Sequence, residues 1–466
     1  MQNLSPLAKN DLPEPLPLKK LIGPSFILLG LGLGSGELIL WPYLSSNYGM
    51  GIIWGALLGI TFQFFLNMEI ARYTLVTGES IFVGLARKLG TLAPVWFILS
   101  TLIPWMWPGI IASCATLVAE ALGIEYSKYI GIIFLLLIGA ILSLGSVVYK
   151  TQEKLQKAII LIGVPFVFIL AFYFAKSNHW GDMIAGLIGK GNGFWFLPIG
   201  VPIATFLGAF AYAGAGGNLN LAQSLYVKEK GYGMGKYSGR ITNILLGKKE
   251  DIKLEGTTFE PNQENLNRFK IWWKRINLEH MIVFWATGAV TMIILSLLAY
   301  STVFGREGLS TGISFVVQEG IVISQKTFPF LGTLFLGLAA LMLFGTQFSV
   351  LGSTSRIMAE NLCVLSKDKF KIQNLPKFFY SFLWLQIIAG IIIFMLGFME
   401  PLGLVVTGAV LNAITMFIYS GLILWLNLTS LDKQLRPNFI RIFAVGFAFL
   451  FYGSFGIYTI YSRFFT

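Results

Sequence analysis

The sequence predicts an all-α integral membrane protein made of two five-helix repeats in inverted orientation, followed by an eleventh helix. Three observations carry this expectation. Apolar runs of about 20 residues, each long enough to cross a bilayer as a helix, recur along the 466-residue chain. Only 12% of residues are charged and mean hydropathy is +0.73, whereas about a quarter of the residues of soluble domains are charged. The first and sixth runs are each interrupted by a glycine-rich stretch. No run shows the ten-residue alternation of a membrane β-barrel.

Taken in order, residues 1–20 are polar and proline-rich and are expected to form a cytosolic tail without a secretory signal. Helices are expected over 21–46, 52–75, 93–118, 129–149, 157–175, 196–226, 281–303, 329–355, 378–399, 402–427 and 439–461. The first repeat then spans 21–177. The second spans 178–427 and includes a charged loop, 228–280, read as a partly disordered linker or a regulatory segment. Residues 428–466 hold the last helix and the C-terminus. The net charge of +12 reflects topology rather than a nucleic-acid partner. With the N-terminus inside, all Lys and Arg except Lys128, Lys176, Lys190, Arg306, Lys326 and Arg463 fall on the cytosolic side, as the positive-inside rule requires. That places the chain in a plasma (inner) membrane with the N-terminus cytoplasmic and the C-terminus outside. Cys114 and Cys363 lie far apart, beside or inside apolar runs, and suggest neither a disulfide nor a metal knuckle.

The interruptions are "GLGSGE" (32–37) and "GAGG" (214–217). Taken singly, each is explained by glycine's tolerance in membrane helices and by tight small-residue packing. Five helices apart, they also mark corresponding places in two inverted repeats, where transporters bind their substrate. Backbone freed from a helix at mid-membrane is tolerated only where it lines a cavity or meets a ligand. Half-helices starting at Ser35 or Gly36, and near Gly217 or Asn218, would aim N–H groups and a positive dipole end at an anion. The carbonyls that end the preceding halves would suit a cation.

The stretch "GPSFILLGLGLGSGEL" (23–38) resembles the first helix of the Nramp (natural resistance-associated macrophage protein) divalent-metal transporters, which opens with Gly-Pro-x-Phe. "ARYTLVTGES" (71–80) is similar to that family's Ala-Arg-Leu-x-x-Val-Thr-Gly segment, and "YKTQEKLQKAIILI" (149–162) and "NAITMFIYSGLILWLNLTS" (412–430) resemble it more weakly. The resemblance implies a LeuT-type fold over roughly residues 21–430 and a secondary transporter rather than an enzyme. It also implies that the metal ligands are gone. The family's Asp-Pro-Gly-Asn falls on Gly34, Ser35, Gly36 and Glu37, and its Met-Pro-His-Asn on Ala215, Gly216, Gly217 and Asn218. None of the transition-metal ligands Asp, Asn and Met is retained, nor the sixth-helix His tied to proton coupling. His179 and His280 both fall in expected loops, and the third helix contains no Asp.

The expected substrate site comprises Gly34, Ser35, Gly36, Glu37, Ala215, Gly216, Gly217 and Asn218, with Asn412 of the tenth helix facing it if buried. Asn220 and Gln223 lie nearby. Glycines admit a ligand close to the backbone, so the site suits a small inorganic oxyanion such as bicarbonate; nitrate or a small carboxylate also fits. Glu37 keeps three roles open: capping its own helix, attracting a coupling cation, or ligating a cation substrate. The last favours a hard divalent ion such as Mg²⁺ with waters retained. In the eighth helix, Thr346, Ser349 and Ser353 put hydroxyls on one face. Either they bond their own helix or, in the LeuT-type layout, they hold Na⁺ with carbonyls of Gly30, Leu33 and Gly34. No other cofactor is expected. A membrane enzyme would need a cluster of His, Asp or Cys at membrane depth, and the sequence has none. A sensor or scaffold with the transporter fold is the remaining alternative. Glu69 with Arg72, and Arg356 with Glu360, are spaced as ion pairs near the cytosol, and the tryptophans read as interface belt. Oligomeric state is not legible.

Overall fold

The computed structural model describes the chain except residues 1–3, 22, 126, 145–147, 239–252, 310–311 and 465–466. The middle of the expected linker, 239–252, therefore lies outside the described residues. Among the described residues, ten helices are long and apolar enough to cross a membrane. They are α1 (Pro24–Tyr48), α2 (Trp54–Thr77), α3 (Leu92–Leu122), α4 (Ser127–Leu144), α5 (Val148–Phe174), α7 (Gln263–Val303), α8 (Pro329–Leu365), α9 (Leu375–Met395), α10 (Pro401–Ser430) and α11 (Phe439–Phe464). An interrupted α6, with halves Ile203–Ala211 (α6a) and Ala222–Lys230 (α6b), completes the expected order of eleven.

Local chemistry sets the ends. Proline occupies the first turn of α1, α8, α9 and α10, where its missing N–H costs nothing. Glu400 caps α10 by accepting from Leu402 N at 3.1 Å and from Gly403 N. α2 stops at Gly78, whose φ of +63° is the left-handed stop that glycine adopts without strain. α3 is two helical pieces, Leu92–Trp105 and Gly109–Leu122, on either side of a short break that follows Pro104.

The apolar 18-residue stretch of α1 is wholly buried, while less than a third of that of α4 or α11 is. The molecule is therefore a bundle around α1, α6 and α8. α8 packs on α1, α3, α5 and α9, α7 on α1 and α5, and α10 on α6a and α11. The large rings Trp41, Phe206, Phe210 and Tyr452 are buried in this core.

Two expectations about the polar segments change. The charged 228–280 segment is not simply a linker, because α7 begins at Gln263 and runs straight into the membrane. The N-terminal tail is strapped to it. Ala8–Lys9 pair in parallel with Thr257–Thr258. Trp272 Nε1 donates to Pro13 O at 2.8 Å, and Arg275 Nη1 to Pro15 O and Leu16 O at 2.8 Å each. Backbone carbonyls of the proline-rich tail, lacking partners of their own, take up these donors.

Candidate functional site

The interruption of α1 falls where the glycines place it but takes a different form from the one expected. The helix is α-helical to Gly32, π-helical over Leu33–Leu40, and α-helical again from Trp41. The N–H of Trp41 reaches back five residues to Gly36 O. The chain widens its winding rather than opening, as π-bulges do at functional positions. No half-helix starts at Ser35 or Gly36.

The glycines of α1 instead let neighbours approach. A Cβ on Gly32 would sit 2.6 Å from Gly214 O, and one on Gly36 would overlap the carbonyl of Tyr212. A Cβ on Gly34 would lie 2.7 Å from Thr346 Oγ1. The backbones of α1 and α6 are thus in direct contact at the two glycine-rich stretches.

α6 does unwind. α6a ends at Ala211, a single 3₁₀ turn covers Gly217–Leu219, and α6b begins at Ala222. Gly216 and Gly217 have φ of +75° and +51°, which only glycine adopts freely. Gln63 of α2 staples the opening: Nε2 donates to Ala211 O at 2.9 Å and Oε1 accepts from Gly216 N at 3.2 Å. The N–H groups of Gly214, Ala215, Gly217 and Asn218 meet no acceptor among the described residues. All four residues are buried, and orphaned buried N–H groups are rare in folded proteins.

Amide side chains surround these donors. Asn218 Nδ2 donates to Ser100 Oγ and Thr101 Oγ1 on α3, both at 2.9 Å. Asn412 is buried, as its proposed role required, and its Nδ2 donates to Tyr212 Oη at 2.9 Å. Asn412 Oδ1 occupies the place a Cβ on Gly217 would take. The Oδ1 atoms of Asn218, Asn220 and Asn412, and Oε1 of Gln223, are buried without partners. Tyr212 stacks on Trp105, with centroids 5.3 Å apart and planes at 15°.

Glu37 makes no hydrogen bond to this cluster among the described residues. It is fully buried and neither carboxylate oxygen has a partner among the described residues. Its Oε1 is 3.4 Å from where a Cβ on Gly288 would sit, so the side chain is directed at α7. Ser35 is buried with its hydroxyl unpartnered. The residues expected to form one site therefore divide. Gly34 faces α8, Gly36 faces Tyr212, Glu37 faces α7, and Ala215, Gly216, Gly217, Asn218 and Asn412 gather at the opening of α6.

The hydroxyl face of α8 divides as well. Thr346 Oγ1 donates to Gly30 O at 2.8 Å and accepts from Gly34 N at 2.9 Å, bridging α8 to α1 just before and inside the π segment. Ser349 Oγ instead accepts from Gln156 Nε2 of α5 at 2.7 Å, and the same nitrogen donates to Gly345 O at 2.6 Å. Ser353 Oγ bonds Ser349 O at 2.6 Å and the hydroxyl of Tyr226. Leu33 is buried in the π segment.

Sequence reasoning missed several of these groups. Gln63 had a signal, a lone amide inside the apolar run "ALLGITFQFFL". Gln156 had none, because it sits among charged neighbours. His280, expected in a loop, is buried in α7 and stacked between Phe284 and Phe64 at 4.6 and 5.7 Å. Its Nδ1 is 2.8 Å from Ser25 Oγ, which donates to Glu279 Oε2 at 2.6 Å. The expected ion pairs form: Arg72 Nε to Glu69 Oε2 at 2.7 Å and Arg356 Nη2 to Glu360 Oε2 at 3.3 Å. Both cysteines are free and buried.

No family model matches the sequence, and no curated protein matches it. Solved structures do match in fold. A mutant of the manganese transporter of Eremococcus coleocola superposes with a TM-score of 0.69 at 12% identity, over 98% of this chain and 90% of that one. The same transporter in complex with an aromatic bis-isothiourea compound gives 0.67 at 12%, over 98% and 91%. A nucleobase-cation-symport-1 family transporter, closed with bromovinylhydantoin bound, gives 0.56 at 12%, over 99% and 96%. At these identities the likeness shows the fold: a LeuT-type bundle spanning nearly the whole chain.

Proposed function

We propose that the protein is a secondary transporter that carries a small oxyanion, bicarbonate in the first place, across the membrane by alternating access. The observation that carries this reading is the opening of α6, with four buried N–H groups that meet no acceptor among the described residues. Backbone N–H groups at a helix interruption are an anion site. Glu37 Oε1 is directed at Gly288 of α7, and neither carboxylate oxygen bonds the opening of α6 among the described residues. Bicarbonate carries one O–H as well as acceptor oxygens. The free Oδ1 atoms of Asn218 and Asn412 are acceptors for that proton, which nitrate cannot offer.

An anion entering a cell against the membrane potential needs a driving cation. We assign Na⁺ to the junction of α1 and α8, with Gly30 O and Thr346 Oγ1 as its first ligands and Ser349 joining when Gln156 withdraws. Labelled bicarbonate uptake into proteoliposomes tests the reading. Saturable uptake that rises with an inward Na⁺ gradient is expected; uptake equally fast in K⁺ or choline removes the coupling, and no saturable uptake removes the substrate.

A second reading has its own observation. Two unpartnered carboxylate oxygens on Glu37 suit a hard divalent cation such as Mg²⁺, which favours oxygen ligands with waters retained. Mg²⁺ entry into the same vesicles, followed with a trapped indicator, separates the two.

A further inference from the structure

On the side that the positive-inside rule assigns to the cytosol, a cavity of about 220 Å³ opens between the end of α2, the extramembrane start of α7, the α10–α11 connection and the start of α11. Four of its lining side chains are cationic: Arg72, Lys270, Arg436 and Arg441. No lining residue is acidic. Two carboxylates adjoin it: Glu69, buried and bonded to Arg72, Arg441 and Asn427, and Asp432, which accepts from the N–H of the lining residue Gln434. Two acids against four cations leave an excess of positive charge at this point.

The cations are not equivalent. Arg72 and Arg441 form the structural wall: both lie over the Trp273 ring, at 4.0 and 4.7 Å from its centroid. Their donors are spent on Glu69, Leu435 O and Asn277. Lys270 Nζ, by contrast, has no partner among the described residues, and Arg436 bonds only through Nε, to Leu431 O at 2.9 Å. An ammonium and the outer edge of a guanidinium thus face the same cavity unpaired. The edge toward the membrane is apolar. Phe439, Ile440 and Phe443 at the start of α11 are 78%, 67% and 64% exposed, and Ile271 beside Lys270 is 45% exposed. Free cationic donors at the cytosolic boundary, bordered by exposed rings and aliphatic side chains, match a phosphodiester with acyl chains attached.

We propose that this cavity binds the headgroup phosphate of an anionic membrane lipid, held by Lys270 and Arg436, with its chains along Phe439, Ile440 and Phe443. The site is independent of the substrate reading, because none of these residues belongs to the opening of α6 or to the α1–α8 junction. Occupancy joins α2, α7 and α11 at their cytosolic ends.

The test uses the full-length protein in detergent, with lipid adducts counted by native mass spectrometry. Phosphatidylglycerol and phosphatidylcholine are added at equal concentration, and inorganic phosphate in a separate arm. Phosphatidylglycerol is expected to be retained over phosphatidylcholine, and Lys270→Ala and Arg436→Ala each to weaken retention about fivefold. Lys270→Arg should restore it. Equal retention of the two lipids overturns the proposal. So does displacement of phosphatidylglycerol by millimolar inorganic phosphate, which would mark a site for the free ion. If an alanine variant does not fold, the lipid comparison on the unaltered protein and the Lys270→Arg variant decides.

Discussion

The two glycine-rich interruptions, in α1 and in α6, look alike in composition and are opposite in structure. In α1 the glycines recur every second residue, at 30, 32, 34 and 36, and touch a different neighbour each time: Gln156, Gly214, Thr346 and Tyr212. They serve as close-packing positions, and the helix stays wound by passing through a π segment. In α6 the small residues are consecutive, from Ala213 to Gly217. Two of them take left-handed φ and the helix opens. Alternating glycine admits neighbours into a continuous helix, whereas contiguous glycine lets the chain leave it. Free backbone donors, the feature a substrate anion needs, follow only from the second.

The sharpest way to break this comparison is Gly36→Val. Its side chain would overlap the Tyr212 carbonyl, a backbone atom that cannot step aside. Overpacking of a close-packed site costs about 1–3 kcal/mol, occasionally more, and this substitution is expected at the top of that range. Thermal unfolding in detergent should show the loss, together with abolished uptake. A Gly36→Val protein of unchanged stability would mean that α1 and α6 do not meet as described. Gly216→Val attacks the other member of the pair, since its φ of +75° excludes β-branched residues and its Cβ would lie 2.5 Å from Tyr212 Cδ1.

Next in size is Gln63→Leu, which removes the staple of α6 alone. Ala211 O and Gly216 N lose their partner, at about 1–3 kcal/mol for each buried group left unsatisfied. Thr346→Val is the matching change at α1, stripping Gly30 O and Gly34 N of one hydroxyl. If the coupling reading is right, only Thr346→Val should also flatten the Na⁺ dependence of uptake. Equal effects of the two variants on that dependence would erase the functional distinction between the interruptions.

Glu37→Gln sharpens the comparison at the level of substrate. If the cargo is an anion held at α6, its binding should persist or improve. For a cation held by Glu37, the loss is expected at about 3–5 kcal/mol, the scale for removing one partner of a buried charge pair. Isothermal titration with bicarbonate and with Mg²⁺ distinguishes the two. Mn²⁺ belongs to the same series: with Gly34 and Ala215 where the Nramp resemblance would put Asp and Met, no saturable Mn²⁺ uptake is expected. Competitive Mn²⁺ entry at micromolar concentration would reverse the non-metal reading.

The smallest effect is expected for Ser349→Ala. Gln156 Nε2 keeps its bond to Gly345 O when the Ser349 hydroxyl is removed. About 0.5–1.5 kcal/mol of stability should be lost. A larger fall in Na⁺ dependence than in stability would identify Ser349 as a ligand that exchanges Gln156 for the ion.

The sequence by itself determined where the chain crosses the membrane and in what order, because a 20-residue apolar run needs no partner to be recognised. It also located both interruptions to within a few residues, since glycine punctuation is local. What it did not determine is direction. α1 is apolar on every side and buried on every side, so it has no polar stripe from which the facing of Glu37 can be read. Only the packed bundle turns that carboxylate toward Gly288 of α7. The same holds for contacts across long stretches of chain. Gln63 on α6, Gln156 on Ser349, and the tail on α7 each join residues from 148 to 260 positions apart. Such pairings arise from how close-packed helices mesh in three dimensions, and a one-dimensional pattern of polarity contains no record of them.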